Sequence, residues 1–293
     1  MNGHVPVLLQ EAIDFLAVKP GGTYIDATVG LGGHSLEIAK RLGRQGTLIG
    51  FDKDPNALQR ARERLAPESQ DWPEVRLVHG SFATIGDAVE PGSVDGLLAD
   101  QGVSSLQIST PERGFSFQAD APLDMRMDPT SGVTAEQVVN QLDEERLADL
   151  IYEFGEERRS RRIARAIVRS RPIRSTRQLA EIVSAAGRPM KSERIHPATR
   201  TFQALRIYVN SELEDLRVLL SESGAPRVLK SSGRLVIISF HSLEDRIVKD
   251  AFREGAHQGL YRLLTKKPVT ASDTEVESNP RSRSAKMRAA EKV

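Results

Sequence analysis

The first hundred residues alternate between short apolar runs and stretches in which apolar residues recur at helical spacing. A short helix near the start of the chain ends at a Pro-Gly-Gly sequence, residues 20 to 22. Strands separated by helices are typical of a parallel sheet covered on both faces, so we predict an α/β fold. The predicted strands span residues 24 to 29, 47 to 52, 75 to 79 and 94 to 99, and the predicted helices residues 35 to 42 and 55 to 65.

The pattern changes after the fourth predicted strand. From residue 104 to residue 210 apolar residues such as Val138 and Leu142 recur at helical spacing, and no strand is predicted. A helix over residues 211 to 220 then leads to a buried-strand pattern over residues 233 to 240. The α/β pattern is therefore interrupted by a helical region and completed after it.

This order predicts the organisation of the chain. Residues 1 to 108 and 211 to 266 form a discontinuous α/β core, and residues 109 to 210 form an all-helical insertion. Residues 267 to 293 are first polar and then basic, which predicts a flexible, basic C-terminal tail.

The first predicted strand ends in a glycine-rich turn, and residues 24 to 35 read YIDATVGLGGHS. A strand, a glycine turn and a helix in this order commonly bind nucleotide groups, because the amides of the first helical turn face a bound anion. Asp52 closes the second strand, where a carboxylate often binds two ribose hydroxyls. We therefore predict a cofactor site here, against the simpler alternative that the glycines only turn the chain.

Two kinds of cofactor are compatible with this turn. A dinucleotide fingerprint needs a third glycine or an alanine at the position of Ser35, so that match fails. A nucleoside without a pyrophosphate, such as S-adenosylmethionine, needs less of that architecture. Asp26 would then lie near its ammonium group, and the amides of Gly32, Gly33 and His34 near its carboxylate.

Two later strand ends supply further candidates. Phe82 follows the third strand, where it would either flank an adenine or belong to the core. Asp100 follows the fourth strand and precedes a Gly-Ser segment, at the edge where ligands of open α/β sheets bind. An acid there is placed between a cofactor and a substrate.

Composition excludes several classes of function. The chain has no cysteine, which excludes disulfides, thiolate zinc sites and a cysteine nucleophile and is compatible with a cytoplasmic protein. No metal is predicted. No apolar stretch reaches the length of a membrane span, and the start of the chain does not have the pattern of a signal peptide.

The net charge of +1 indicates no partner, but the distribution of charge does. Nine arginines and no acid occur from Arg158 to Arg177. A run of one sign is typical either of a solvated face or of a surface that contacts phosphate, and both interpretations stay open. The candidate RNA-binding residues are Arg158, Arg162, Arg165 and Arg169 on one helical face, Arg200 and Arg206 beyond it, and the basic C-terminal end.

Five stretches in this order resemble the RsmH (MraW) family of bacterial methyltransferases, and the resemblance runs nearly end to end. They are residues 26 to 35 (DATVGLGGHS), 113 to 117 (RGFSF), 122 to 128 (PLDMRMD), 196 to 206 (HPATRTFQALR) and 239 to 246 (SFHSLEDR).

The resemblance implies a Rossmann-like class I S-adenosylmethionine-dependent fold and methylation of the exocyclic amine (N4) of a cytidine. That cytidine would lie in the decoding region of 16S ribosomal RNA in the small subunit; a homodimer is left open. One stretch departs from the family, because Gln101 replaces a leucine and Leu106 a proline. The implied cofactor contacts are Gly32, Gly33, His34, Asp52, Phe82, Asp100 and Gln107.

The chemistry also follows from the residues. Methylation of pyrimidine carbon 5 generally needs a cysteine adduct, so a chain without cysteine points to a nitrogen or oxygen acceptor. A cytosine amine is a poor nucleophile and depends on positioning and on a hydrogen-bond acceptor, for which we predict Asp100, with His241 and Ser239 as alternatives. The competing functions are a non-catalytic RNA-binding assembly factor and, less favoured because of Ser35, an NAD-linked oxidoreductase.

Overall fold

The computed structural model describes residues 6–187 and 196–293. None of the helices in these ranges is long and apolar enough to cross a membrane. The strands are β1 Thr23–Asp26, β2 Thr47–Asp52, β3 Glu74–His79, β4 Val94–Asp100, β5 Leu229–Ser239, β6 Tyr261–Leu263 and β7 Lys286–Lys292. The helices are α1 Leu9–Leu16, α2 Gly33–Leu42, α3 Pro55–Arg64, α4 Ile85–Ala88, α5 Ser105–Ser109, α6 Ala135–Gln141, α7 Glu144–Gly155, α8 Ser160–Arg169, α9 Thr176–Ala186, α10 Ala198–Asn210, α11 Glu212–Leu220, α12 Ala225–Val228, α13 Ser242–His257 and α14 Asp273–Ser278.

The chain divides into two compact units. The α/β unit runs to Gly102 and resumes from Leu213 to Val293, and the helical unit is Val103–Glu212. The sequence predicted boundaries at residues 108 and 210, so each observed boundary falls a few residues from the predicted one.

The α/β unit contains one seven-stranded sheet in the order β3-β2-β1-β4-β5-β7-β6. The strands from β3 to β5 are parallel, and β7 is antiparallel to both β5 and β6. Because β1, β2 and β4 are parallel neighbours, their carboxyl ends meet at one edge of the sheet. Asp26, Asp52 and Asp100 are the last residues of these three strands.

Alternate residues of each central strand enter two apolar layers, as expected for a sheet covered on both faces. On β1, Ile25 packs into one layer and Tyr24 into the other, and both are fully buried. Leu97 and Leu98 of β4 divide in the same way. The apolar runs in the sequence are continuous because both faces of these strands are covered.

The prediction of a flexible C-terminal tail is wrong. Residues 286–292 form β7, which pairs with β5 from Arg234↔Glu291 to Ser239↔Lys286. Met287 and Ala289 are completely buried in the layer that also contains Leu98. The sequence of β7 is rich in alanine and charged residues and has no apolar run from which a strand could be predicted. The strand is stabilised by pairing with a neighbouring strand on each side.

The helical unit has its own core, formed by the inner faces of α6 to α10. Helix α8 shows the division clearly, since Ile163, Ala164 and Ile167 are buried while Arg162 and Arg165 are exposed. The two isoleucines therefore face away from the arginines. Four arginines of the run, Arg161, Arg162, Arg165 and Arg169, therefore lie on the outer face of an amphipathic helix.

Candidate functional site

The glycine turn between β1 and α2 sits at the carboxyl edge of the sheet. Gly32 precedes α2 with φ 75°, a left-handed conformation that favours glycine. Gly33 is the first residue of the helix, and a Cβ atom there would lie only 2.4 Å from Pro6 Cγ. The turn therefore needs glycine at the first position for its backbone and at the second for close packing.

The amides of this turn are used differently from what the sequence predicted. The Gly32 amide donates to the Val29 carbonyl at 2.8 Å, so it closes the turn itself. Gly33 and His34 belong to the first turn of α2, whose amides have no partner within the helix. Because the residue before α2 is a glycine, no side chain among the described residues caps this end. A carboxylate is the kind of group that such a helix end accepts.

Asp26 explains why the third glycine of a dinucleotide fingerprint is absent. The Ser35 hydroxyl donates to Asp26 Oδ2 at 2.5 Å, and the Thr28 amide donates to Asp26 Oδ1 at 3.1 Å. Both Asp26 and Ser35 are buried. Burial raises the pKa of Asp26 to about 6, although these two hydrogen bonds oppose the shift. The serine therefore ties the first turn of α2 to the end of β1.

Asp52 supports the turn as well as facing the site. Its Oδ2 accepts from the Gly30 amide at 2.7 Å and its Oδ1 from the Asp54 amide at 2.8 Å. Burial raises the pKa of Asp52 to about 6, and the neighbouring charges of Asp54 and Asp26 add to the shift. Each carboxylate oxygen has a second lone pair, so these bonds leave room for a hydroxyl pair.

Asp100 is the least compensated of the three carboxylates. Its amide donates to the Thr28 hydroxyl at 2.6 Å, but its buried Oδ1 has no hydrogen-bond partner among the described residues. Burial first, and then the charges of Asp26 and Glu244, raise its pKa well above the ordinary range. A buried carboxylate without a donor is costly, which indicates that a cation or a hydrogen-bond donor belongs here.

His34 faces Asp100 and favours the same kind of ligand. Its Nε2 lies 3.1 Å from the Val7 carbonyl oxygen, which can only accept, so Nε2 carries the hydrogen. In the neutral ring Nδ1 is then an acceptor, and it lies 3.7 Å from Asp100 Oδ2. Two facing acceptors favour a hydrogen-bond donor or a positively charged group near them.

Phe82 lies directly after β3, partly buried and packed against the apolar layer of the sheet that contains Ile25. Asp215 joins the turn after β2 to the turn after β3. Its Oδ2 accepts from Ser81 Oγ at 2.5 Å and lies 2.6 Å from Lys53 Nζ. This cluster holds the segment after β2 against the segment after β3. The adenine contact predicted for Phe82 stays a prediction.

Three other candidate residues have structural roles of their own. Gln107 lies in the helical unit, where its Oε1 accepts from the Ser104 amide at 2.9 Å in a capping box. His241 precedes α13 and caps it, with Nε2 3.1 Å from Glu244 Oε1. Ser239 is the last residue of β5 and is buried. The structure thus places His241 in the cap of α13, where its Nδ1 accepts from the Glu244 amide at 3.4 Å.

The predicted RNA-binding arginines fall into two groups. Arg158, Arg162 and Arg169 are exposed and have no ion-pair partner within the described ranges, and Arg161 joins them. The others are paired with acids: Arg165 lies 3.1 Å from Glu144, Arg200 lies 3.6 Å from Glu157, and Arg206 forms a two-pronged pair with Glu212.

Two residues of the basic C-terminal end, Lys286 and Arg288, are also paired with an acid. Arg288 Nε lies 2.7 Å from Asp245 Oδ1, and Lys286 Nζ lies 3.4 Å from Asp245 Oδ2. Arg288 is only 11% exposed. Asp245 therefore offsets part of the positive charge of these two residues, and Arg288 is mostly withdrawn from solvent.

The residues of the α/β unit fit S-adenosylmethionine. This nucleoside carries an ammonium and a sulfonium charge, and the three strand ends supply three carboxylates whose pKa values are raised chiefly by burial, with no balancing cation among the described residues. Its carboxylate suits the uncapped end of α2, and its ribose suits Asp52. Within the described ranges no group of three potential ligands forms a metal site.

The sheet order and this edge define a Rossmann-like, S-adenosylmethionine-dependent methyltransferase with an inserted helical unit, which confirms the predicted fold class. The model of the MraW methylase family matches residues 1–293, and the chain belongs to that family. Relatives named "Ribosomal RNA small subunit methyltransferase H" are 64% identical in Acidobacterium capsulatum, over 99% of this chain and 98% of the relative, and 64% identical in Koribacter versatilis, over 98% and 93%. A relative of the same name from Solibacter usitatus is 53% identical over 98% of this chain and 99% of its own length.

Proposed function

We propose that this chain transfers a methyl group from S-adenosylmethionine to the exocyclic amine (N4) of a cytidine in the decoding region of 16S ribosomal RNA. The observation that carries the proposal is the convergence of Asp26, Asp52 and Asp100 at one sheet edge beside the end of α2. The names of the relatives support a substrate in the small ribosomal subunit. The choice of N4 rests on the family resemblance and on the absence of cysteine.

The residues of the α/β unit divide the work of holding the donor. Asp26, supported by Ser35, faces the ammonium group, and the first turn of α2 takes the carboxylate. Asp52 accepts from the ribose hydroxyls, and Phe82 flanks the adenine. When bound, S-adenosylmethionine supplies an electrophilic methyl group on a positively charged sulfur.

Asp100 performs the proton chemistry. Its Oδ1, which lacks a hydrogen-bond partner among the described residues, accepts a hydrogen of the cytosine amine and localises the nitrogen lone pair toward the methyl carbon. When the amine nitrogen accepts the methyl group that the bound donor would supply, Asp100 would take the amine proton and pass it to solvent. The raised pKa of Asp100 makes it a better proton acceptor than an exposed aspartate.

RNA contact falls to the helical unit. Arg158, Arg161, Arg162 and Arg169 are exposed and unpaired within the described ranges, so their guanidinium groups are available to phosphates. Arg165 and Arg200 share their charge with acids, and Arg206 is committed to Glu212. The proposed surface is therefore narrower than the arginine run in the sequence.

The decisive experiment supplies 16S RNA and small subunits from cells that lack this protein, together with labelled donor. Mass spectrometry should locate one new methyl group on N4 of a single cytidine in the decoding region. Methylation at carbon 5, or at a ribose oxygen, would overturn the assignment of the acceptor. In parallel, calorimetry should detect binding of S-adenosylmethionine and not of NAD.

A further inference from the structure

A contact between Leu8 and Glu275 joins two segments that are far apart in the sequence, beside the donor site. The amide of Leu8 donates to Glu275 Oε1 at 2.8 Å, a contact between residues 267 positions apart. Leu8 is completely buried and has φ 51°, an unusual conformation for a leucine. A residue held in that conformation needs support from its surroundings, and the Glu275 carboxylate supplies it.

The segment that precedes Leu8 covers the turn of the donor site. Pro6 lies against Gly33, where no side chain larger than hydrogen fits beneath it. The Val7 carbonyl accepts from His34 Nε2 at 3.1 Å, and Val7 is 4% exposed. We call residues 6 to 8 the lead-in. Its position fixes the tautomer and the orientation of His34, whose Nδ1 faces Asp100.

Glu275 is presented by an ordered part of the protein. It lies on α14, whose first turn is capped by the Ser272 hydroxyl, which accepts from the Glu275 amide at 3.2 Å. Val269, a few residues earlier, forms a bridge with Met287 of β7. Glu275 also stands next to the start of α1, where a negative charge is favourable to the helix dipole.

We propose that Glu275 is a positioning residue for the donor site, holding the lead-in against Gly33 and His34. Contacts lead from Glu275 to the Leu8 amide, along the backbone to the Val7 carbonyl, and on to His34 and Asp100. Loss of the carboxylate releases the lead-in, so that His34 loses its acceptor and its fixed orientation. This inference rests on the proposed function, because it assigns Glu275 to the same donor site.

The test compares donor binding in Glu275→Ala and Glu277→Ala. Glu277 lies on the same helix and is exposed, so it is a matched control for charge and for helix propensity. Calorimetry at a temperature where both variants are fully folded should show the Kd for S-adenosylmethionine raised about tenfold in Glu275→Ala, the loss expected for one charge-assisted hydrogen bond, and unchanged in Glu277→Ala.

Two conservative variants separate positioning from simple folding support. Glu275→Gln keeps an oxygen that can accept from the Leu8 amide and should restore affinity to within about threefold of the original protein. Glu275→Asp keeps the charge but withdraws it by one methylene, and should weaken binding severalfold even if Glu275→Ala proves too unstable to measure. Hydrogen exchange of the Val7 and Leu8 amides should rise in step with Kd.

A lowered melting temperature with an unchanged Kd in Glu275→Ala and Glu275→Asp would overturn the inference, because it would make Glu275 a purely structural residue. If the original protein fails to bind S-adenosylmethionine, the proposed function fails instead. The two failures are thus distinguishable in one set of titrations.

Discussion

The donor edge of the α/β unit and the arginine face of the helical unit use charge in opposite ways. Asp26, Asp52 and Asp100 come from separate strands and are brought together in a poorly solvated place, where burial raises the pKa of each. The arginines come from one continuous stretch, and those of α8 remain in solvent. The first arrangement is costly without a ligand, and the second costs little.

The contrast shows how a site for a small ligand can be distinguished from a surface for a charged polymer. A buried group of like charges implies a small ligand of opposite charge, since the protein supplies no cation among the described residues there. An exposed group of like charges indicates a binding surface only when the residues that form ion pairs within the protein are left out of it. In this chain that step removes Arg165, Arg200 and Arg206 from the proposed surface.

The largest expected effect tests the donor edge. Asp100→Asn removes the proton acceptor and should lower the rate of methyl transfer about a thousandfold, within the range for loss of a general base. Single-turnover assays at saturating donor and RNA measure this step directly. Asp87→Asn, at an exposed position, is the control. A loss below tenfold would assign proton acceptance to another group.

A second effect separates the two groups of arginines. Arg206 and Glu212 are 18% and 6% exposed, so Arg206→Ala leaves a buried carboxylate without its partner. We expect the free energy of unfolding to fall by about 3 kcal/mol, against less than about 0.5 kcal/mol for the exposed Arg162→Ala. Urea denaturation followed by circular dichroism measures both. Equal stability of the two variants would contradict the division of the arginines into a paired and an unpaired group.

The third effect is a pH dependence of donor binding. Asp26 and Asp52 have pKa values raised to about 6, so below pH 6 these two groups become protonated and attract a cationic ligand less. Burial also raises the pKa of Asp100 well above its ordinary range, which acts in the same direction. The Kd for S-adenosylmethionine should therefore rise up to about tenfold for each pH unit below 6 per group that must ionise. Adenosine, which lacks both positive charges, should show a weaker dependence, and a constant Kd from pH 5 to 7 would count against a cationic ligand.

The same shifts set the sign for stability without ligand. A raised pKa means that the folded state binds the proton more tightly than the unfolded chain does. Stability is therefore greatest below about pH 4 with respect to these groups and falls as pH rises toward 6, by about 3 kcal/mol for Asp26. Saturating donor should remove most of this loss, which thermal denaturation across that range can measure.

The smallest effect concerns RNA. Arg158→Ala and Arg162→Ala should each weaken binding severalfold and reduce the slope of log affinity against log salt by about one. Arg165→Ala, whose charge is shared with Glu144, should change the slope less. Filter binding to 16S RNA over a range of salt measures all three. An unchanged slope in the double variant Arg158→Ala, Arg162→Ala would reject the phosphate contacts.

The α/β fold, its helical interruption and the position of the donor turn could be predicted from the sequence alone. Local sequence patterns were enough for these predictions. Strands that are buried on both faces appear in the sequence as apolar runs, and a turn that must pack closely appears as a group of glycines. The strand-end acids Asp26, Asp52 and Asp100 could be named for the same reason. The sequence also shows that Ser35 replaces the third glycine, but it does not show the hydrogen bond from Ser35 to Asp26 that explains the replacement.

Which of these groups contact one another, and which already have a partner, follows only from the three-dimensional structure. The bonds from Ser35 to Asp26, from Arg206 to Glu212 and from Glu275 to Leu8 join residues on different elements, and the last spans almost the whole chain. The C-terminal strand shows the same limit, since its residues are polar or small and become ordered only by pairing with β5 and β6. Such pairings depend on long-range contacts that no local pattern of hydrophobicity encodes.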